Sequence, residues 1–191
     1  MTKALFQRGN GALEIGFKAA DGAMRLAHLF QSDPCRALFP RSEGDDIGQS
    51  VLITTSGGLA GGDRLRLSID MQAGTRQQIA TQAAEKIYGA ESEPTRIDVS
   101  VTVADGAWLE WLPQETILFQ NARLSRTVSL AIQDNGELLT GDILAFGRAA
   151  RGEKYADGLL HDRWRLSIDD RLVWADQMRL DAPGADLAHP A

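Results

Sequence analysis

Apolar residues recur at every second position through much of this chain. RLRLSID (64–70), RIDVSVTVA (96–104), RTVSLAIQ (126–133) and RWRLSID (163–169) alternate apolar with polar side chains, the period of strands that bury one face. Short turn signals separate the runs: Asp105 with Gly106, the triplet Asp134, Asn135 and Gly136, and Asp169 with Asp170. The Asn-Gly step in AIQDNGELLTGDIL is the clearest hairpin cue among them. Strands at this short, fairly regular spacing predict a mainly β fold of solenoid, sandwich or barrel type. No fixed-period self-similarity marks a solenoid in the sequence itself. Helical signal is thin. The best segment is QIATQAAEKIY (78–88), in which Ile79, Ala83, Ala84 and Ile87 share a helical face; a strand ending at 79–81 competes with it. Polar, turn-rich stretches at 39–49 and 89–95 predict loops, and 182–191 a frayed tail.

Composition narrows the function classes. With 191 residues the chain has enough length for one core, so a single domain over 1–191 is expected. A formal charge of −6 argues against a phosphate-tracking surface, and nucleic acid is not expected as a partner. The single cysteine, Cys35, has no internal disulfide partner, which fits a reducing compartment. No run approaches the roughly 20 apolar residues of a membrane span, and the start has no signal-like stretch. The expected location is the cytoplasm, away from membranes.

Candidate chemistry concentrates in three places. SGGLAGGDRL (56–65) sets four glycines around an apolar step and closes on Asp63. It lacks the Gly-Lys-Ser/Thr ending of a phosphate loop and leads into a strand rather than a helix, so a tight strand-to-strand connection is its leading reading. Carboxylates stand beside glycine at Asp63, Asp142 and Glu153, and inside apolar surroundings at Glu85, Glu110 and Glu115. Ion pairing accounts for each singly, Glu153 with Arg148 for example; together they offer oxygen ligands for a transient divalent cation. WLEWLPQETILF (108–119) packs Trp108, Trp111 and Phe119 around a proline, a pattern that suits a core and a protein interface alike. Histidines 28, 161 and 189 are too scattered for a catalytic triad, and no C-x-x-C, H-x-H or H-E-x-x-H marks a permanent zinc site. Cys35 is expected to be a buried free thiol and His28 a surface residue.

Four segments in this order resemble the urease accessory protein family called UreD or UreH: TSGGLAGGDRL (55–65), IATQAAEKIY (79–88), LEWLPQETILF (109–119) and GDILAFGRAARGE (141–153). The resemblance implies a β-helix-like body with one or two short helices, and a chaperone of urease maturation rather than an enzyme. Implied partners are apo-urease, a UreF-like helical accessory protein and, through it, a UreG-like GTPase. No permanently bound cofactor is implied, only transient Ni(II) passing along an internal tunnel. On that reading Asp63, Asp142 and Glu153 are polar elements of the nickel path or of partner docking, and Trp108, Trp111 and Phe119 form a partner interface. Such proteins usually run several strands beyond the position of Ala191, so a C-terminal part of the family is expected to be missing. The rival reading is a ligand-binding or carbohydrate-active domain using paired carboxylates such as Asp63 and Asp142; a purely structural subunit is the fallback.

Overall fold

The computed structural model describes residues 8–41 and 47–181; the tail at 182–191, with His189, lies outside the described residues. Each alternating run becomes a strand of one large sheet, and two further strands follow it before the next run begins. β5 (Arg64–Met71) leads to β6 (Arg76–Thr81) and β7 (Glu85–Ile87). β8 (Thr95–Val103) leads to β9 (Trp108–Leu112) and β10 (Thr116–Leu118), and β11 (Arg123–Ile132) to β12 (Glu137–Thr140) and β13 (Leu144–Phe146). The first strand of each triplet enters a seven-stranded sheet, the second a five-stranded sheet and the third a three-stranded sheet. Corresponding strands of successive triplets pair in parallel. The chain is therefore a three-sided solenoid, each coil using the coil before it as its sheet neighbour.

Both ends of the spiral are closed by reversals. β1 (Asn10–Ala20) starts the large sheet in parallel with β5, and β4 (Gly48–Thr54) starts the second sheet in parallel with β6. Antiparallel partners flank them: β2 (Ala23–Ser32) on β1 and β3 (Cys35–Leu38) on β4. At the far end β14 (Leu159–Ile168) extends the large sheet in parallel with β11, and β15 (Arg171–Asp181) folds back on it through Asp169 and Asp170, both at positive φ. Alternation puts Ile69, Val101 and Leu130 in the interior of one wall, facing Ile79 and Leu109 of the second and Ile87 and Leu118 of the third. Burial of this one apolar column, at about 25 cal/mol per Å², drives the winding.

Two local expectations are corrected. The segment 78–88 forms no helix: its first part is β6, with Ala80 and Thr81 opposite Val51 and Leu52, and its last part is β7, with Glu85 opposite Thr116. Neighbouring coils on both sides satisfy its backbone groups, which outweighs a short helix that would supply its own. Ile79 and Ile87 are both fully buried, so the apolar spacing marks core positions of two strands and not one face of a helix. The triplet 134–136 forms no hairpin either. It turns the chain from β11 into β12, which belong to different sheets. Asp105 of the preceding coil accepts the Asn135 side-chain amide at 3.1 Å, and Asp169 of the following coil accepts the Asp134 backbone N–H at 3.0 Å, so these corners stack on one another. The one helical element among the described residues is a single 3-10 turn, Ala149–Arg151.

Candidate functional site

The inward positions of the large sheet form vertical columns, and one of them changes character half-way along. Leu65 stands opposite Ile97, Ile97 opposite Arg126, and Arg126 opposite Asp162. Two aliphatic residues thus give way to a buried ion pair. Arg126 donates Nε to Asp162 Oδ1 at 2.8 Å and Nη2 to Asp162 Oδ2 at 2.6 Å, and it pairs through Nη2 with Asp142 from the loop between β12 and β13. Trp164 donates its indole N–H to Asp162 at 3.2 Å, and its ring lies 5.9 Å from the guanidinium carbon. Burial works against the Arg126 charge, but Asp162 and Asp142 outweigh it and hold the guanidinium protonated beyond its usual range. One cation faces two carboxylates. Asp142 Oδ1 is buried with no hydrogen-bond partner among the described residues, an arrangement that is costly unless something else uses it.

That cluster forms one end of a cavity of about 210 Å³ that opens to the surface past the exposed Ser56, Gly57, Gln82 and Gln114. The wall runs from Leu13 in the first coil to Trp164 in the last, and Asp142 and Trp164 are shared with a second cleft under Trp174 and Met178. Two other groups of ligand type reach the cavity. Cys35, 7% exposed, has its thiol pushed up to about 11, by burial first and by the nearby Glu85 charge second. Burial likewise raises the Glu85 carboxyl, against the hydroxyl of Thr54, which donates to it at 2.7 Å. Thr54 stands opposite Cys35 in the β3–β4 pair, which puts Cys35 and Glu85 at the same station. Among the described residues no three His, Cys, Asp or Glu side chains converge as a metal cluster. The cavity instead offers separated donors, a thiol and carboxylates, of types that borderline divalent ions accept.

The predicted carboxylates do not meet. Asp63 uses both oxygens on backbone amides, of Gly9 at 2.7 Å and Ala60 at 2.8 Å, and so ties the start of β5 to the glycine loop. Glu153 accepts Arg148 Nε at 2.6 Å and the Gln120 N–H at 2.8 Å; those two bonds, the Arg148 one first, draw its pKa down. Only Asp142 of the three lines the cavity. Asp63 and Asp142 share no partner, so they do not form the facing acid pair of a glycosidase. The aromatic set divides as well. Trp111 is 4% exposed, stacked at 6.1 Å on Trp164, and turned into the interior because its strand position is an inward one. Trp108 is half-buried under the Arg76 guanidinium, and Phe119 lies between Tyr88 and Arg148. Cys35 is buried and His28 lies on the surface beside Glu14, as expected.

The glycine loop takes the place of a strand. Leu59 bridges Ile87 in parallel, accepting the Tyr88 N–H at 2.7 Å and donating to Lys86 O at 2.8 Å, so the loop is the first coil's contribution to the third side. A Cβ at Gly58 would meet Lys86 O at 2.8 Å, and one at Gly61 would meet Glu93 O at 2.3 Å; the backbone passes too close for any side chain. Gly58, Glu85, Trp111 and Asp142 each come from a different one of the four distinctive segments, and all four line the cavity.

The family model described as "UreD urease accessory protein" matches residues 9–191. The chain belongs to the UreD family. A urease accessory protein UreD of Magnetococcus marinus is 41% identical over 180 residues, 94% of this chain and 61% of that protein. One from Rhodopseudomonas palustris strain BisA53 is 42% identical over 191 residues, 98% of this chain and 66% of its own length. The chain thus spans less than two thirds of these UreD relatives. Within the UreD match fall every coil of the solenoid and both terminal reversals. Among the described residues no helix is long and apolar enough to cross a membrane.

Proposed function

We propose that this UreD-family chain is a non-enzymatic scaffold of urease maturation, and that its axial cavity carries nickel toward the urease active site. It docks on apo-urease in the cytoplasm, and a UreF-like helical protein and a UreG-like GTPase complete the assembly. The observation that carries the reading is the gathering of all four family-like segments around one cavity with ligand-type side chains along it. Nickel enters here as cargo. Cys35 with Glu85 at one station and Asp142 at another supply donors one or two at a time, which favours passage over retention. The excess of one negative charge in the Arg126, Asp142 and Asp162 cluster attracts a cation, and the unpartnered Asp142 oxygen is the group able to receive it. Asp63 and Glu153 act at one remove, by fixing the corners that hold the wall.

The test uses cells carrying a urease cluster whose own UreD has been deleted and replaced by this chain, with nickel per urease active site and urea hydrolysis as readouts. Restoration of both is expected, and Asp142→Asn is expected to lower nickel content severalfold at unchanged abundance of the chain. Urease that stays empty beside a folded, abundant chain overturns the scaffold reading. Full loading by the Asp142→Asn variant removes that residue from the path.

A further inference from the structure

The outward face of the large sheet carries a charge pattern opposite to that of the chain as a whole. Inward and outward positions alternate, so the register that stacks Leu65 on Ile97 inside also stacks Arg64 on Arg96 outside. The outward positions of β5, β8, β11 and β14 hold Arg64, Arg66, Arg96, Arg123, Arg163 and Arg165, with His161, against only Asp70 and Asp98. Between them lie short hydroxyl side chains, with Ser68, Ser100 and Ser129 side by side in one row. Leu159, at the start of β14, is the one large apolar side chain at an outward position of these four strands. Arg64, Arg66, Arg96 and Arg165 are exposed, and none of them makes an ion pair among the described residues. Arg64 and Arg96 occupy directly neighbouring positions about 4.8 Å apart. Like charges so placed repel, and Asp98, opposite Arg66 at the next outward pair, offsets only part of that cluster.

We propose that this face is a docking plate for the acidic surface of a partner protein. The alternatives are weaker on two grounds. Asp70 and Asp98 interrupt the arginines, which suits a protein surface with a few cations among its carboxylates and not a continuous phosphate backbone. Among the outward positions of these strands the one aromatic ring is that of His161, half-buried with its Nε2 shielded from solvent, which leaves no open platform on which a base could stack. A flat face of short hydroxyls lets a partner approach closely, and arginine's planar fork then binds carboxylates in pairs. The proposal stands independently of the nickel-path reading.

The probes are a fluorescent oligoglutamate peptide and a labelled oligouridine of equal length, titrated by anisotropy at low and at physiological salt. The parent chain is expected to bind oligoglutamate, with affinity falling as salt rises. Arg64→Gln/Arg96→Gln/Arg165→Gln is expected to weaken that binding by roughly tenfold. The control Arg36→Gln/Arg41→Gln/Arg151→Gln removes the same charge elsewhere and is expected to leave it unchanged. Far-ultraviolet circular dichroism and the melting temperature establish that both variants fold. Equal weakening by the two triple variants, or no binding by the parent, overturns the proposal. Tighter binding of oligouridine, lost in the plate variant, overturns it in favour of a nucleic acid.

Discussion

Glu85 opens β7 against the cavity, and its carboxyl is held where burial raises its pKa above the ordinary 4.5 despite the Thr54 hydroxyl. A carboxyl raised in the folded state binds its proton more tightly there than in the unfolded chain. Its contribution to stability is complete below the ordinary value and is lost as pH rises through the folded one. Glu85→Gln keeps the shape and the acceptor for Thr54 while removing the charge. The variant is expected to have a higher urea midpoint than the parent at neutral pH, with the difference shrinking in acid; an equal difference at both pH values would show that charge is not the cause. The residues around Arg126 show what a sequence can reveal at this scale. The alternation that marks Val128, Leu130 and Ile132 as inward runs back in phase to Arg126, and that of Leu160, Trp164 and Leu166 runs through Asp162. A charged residue in phase with an apolar face was therefore legible. Its partner was not, because 36 residues separate Arg126 from Asp162 and only the coil register joins them. Asp142 stands beside glycine in the sequence and reaches the cavity; Asp63 stands beside glycine too, and its two amide bonds account for that position.

At the level of the element, the glycine loop is where local sequence and local structure agree most closely. Its reading as a strand-to-strand connection holds, and the close approach of Gly58 to Lys86 O and the Tyr88 ring gives the reason for the glycine. Gly58→Ala places a Cβ at 2.8 Å from that carbonyl on a residue with φ of 143°, so a loss of about 2–3 kcal/mol is expected. The urea midpoint checks it, and a midpoint within error of the parent's would mean that Leu59 can leave Ile87 without consequence. The same element explains why the neighbouring segment was harder to read. A strand as short as β7, three residues long, gives too few positions to distinguish a period of 2 from one of 3.6. The Asn-Gly cue failed for a related reason. A tight turn reports that the chain changes direction, and only the partner strand decides between a hairpin and a solenoid corner; here β12 pairs with β9.

Over the whole molecule the strand-rich character was visible and the winding was not. Strands of the large sheet begin at 64, 95, 123 and 159, unequal steps that leave no fixed repeat for the eye to find. Loops absorb the difference, so structural periodicity survives without sequence periodicity. The ion-paired cluster is the point at which one coil's stability depends most on another's. Arg126→Met leaves Asp142 and Asp162 buried without their cation, and a loss of about 3–5 kcal/mol is expected. Thermal or urea unfolding checks it; a loss of less than about 1 kcal/mol would mean that the pair is replaceable by packing alone. Stacking in register also gives the molecule a length scale. Each coil advances the axis by one strand separation, about 4.8 Å, so the four steps from β1 to β14 measure roughly 19 Å. Distance along the interior is thus counted in whole coils: a longer or shorter interior can be made only by adding or removing a complete turn of chain, and every side chain facing the axis sits at a fixed graduation of that ruler.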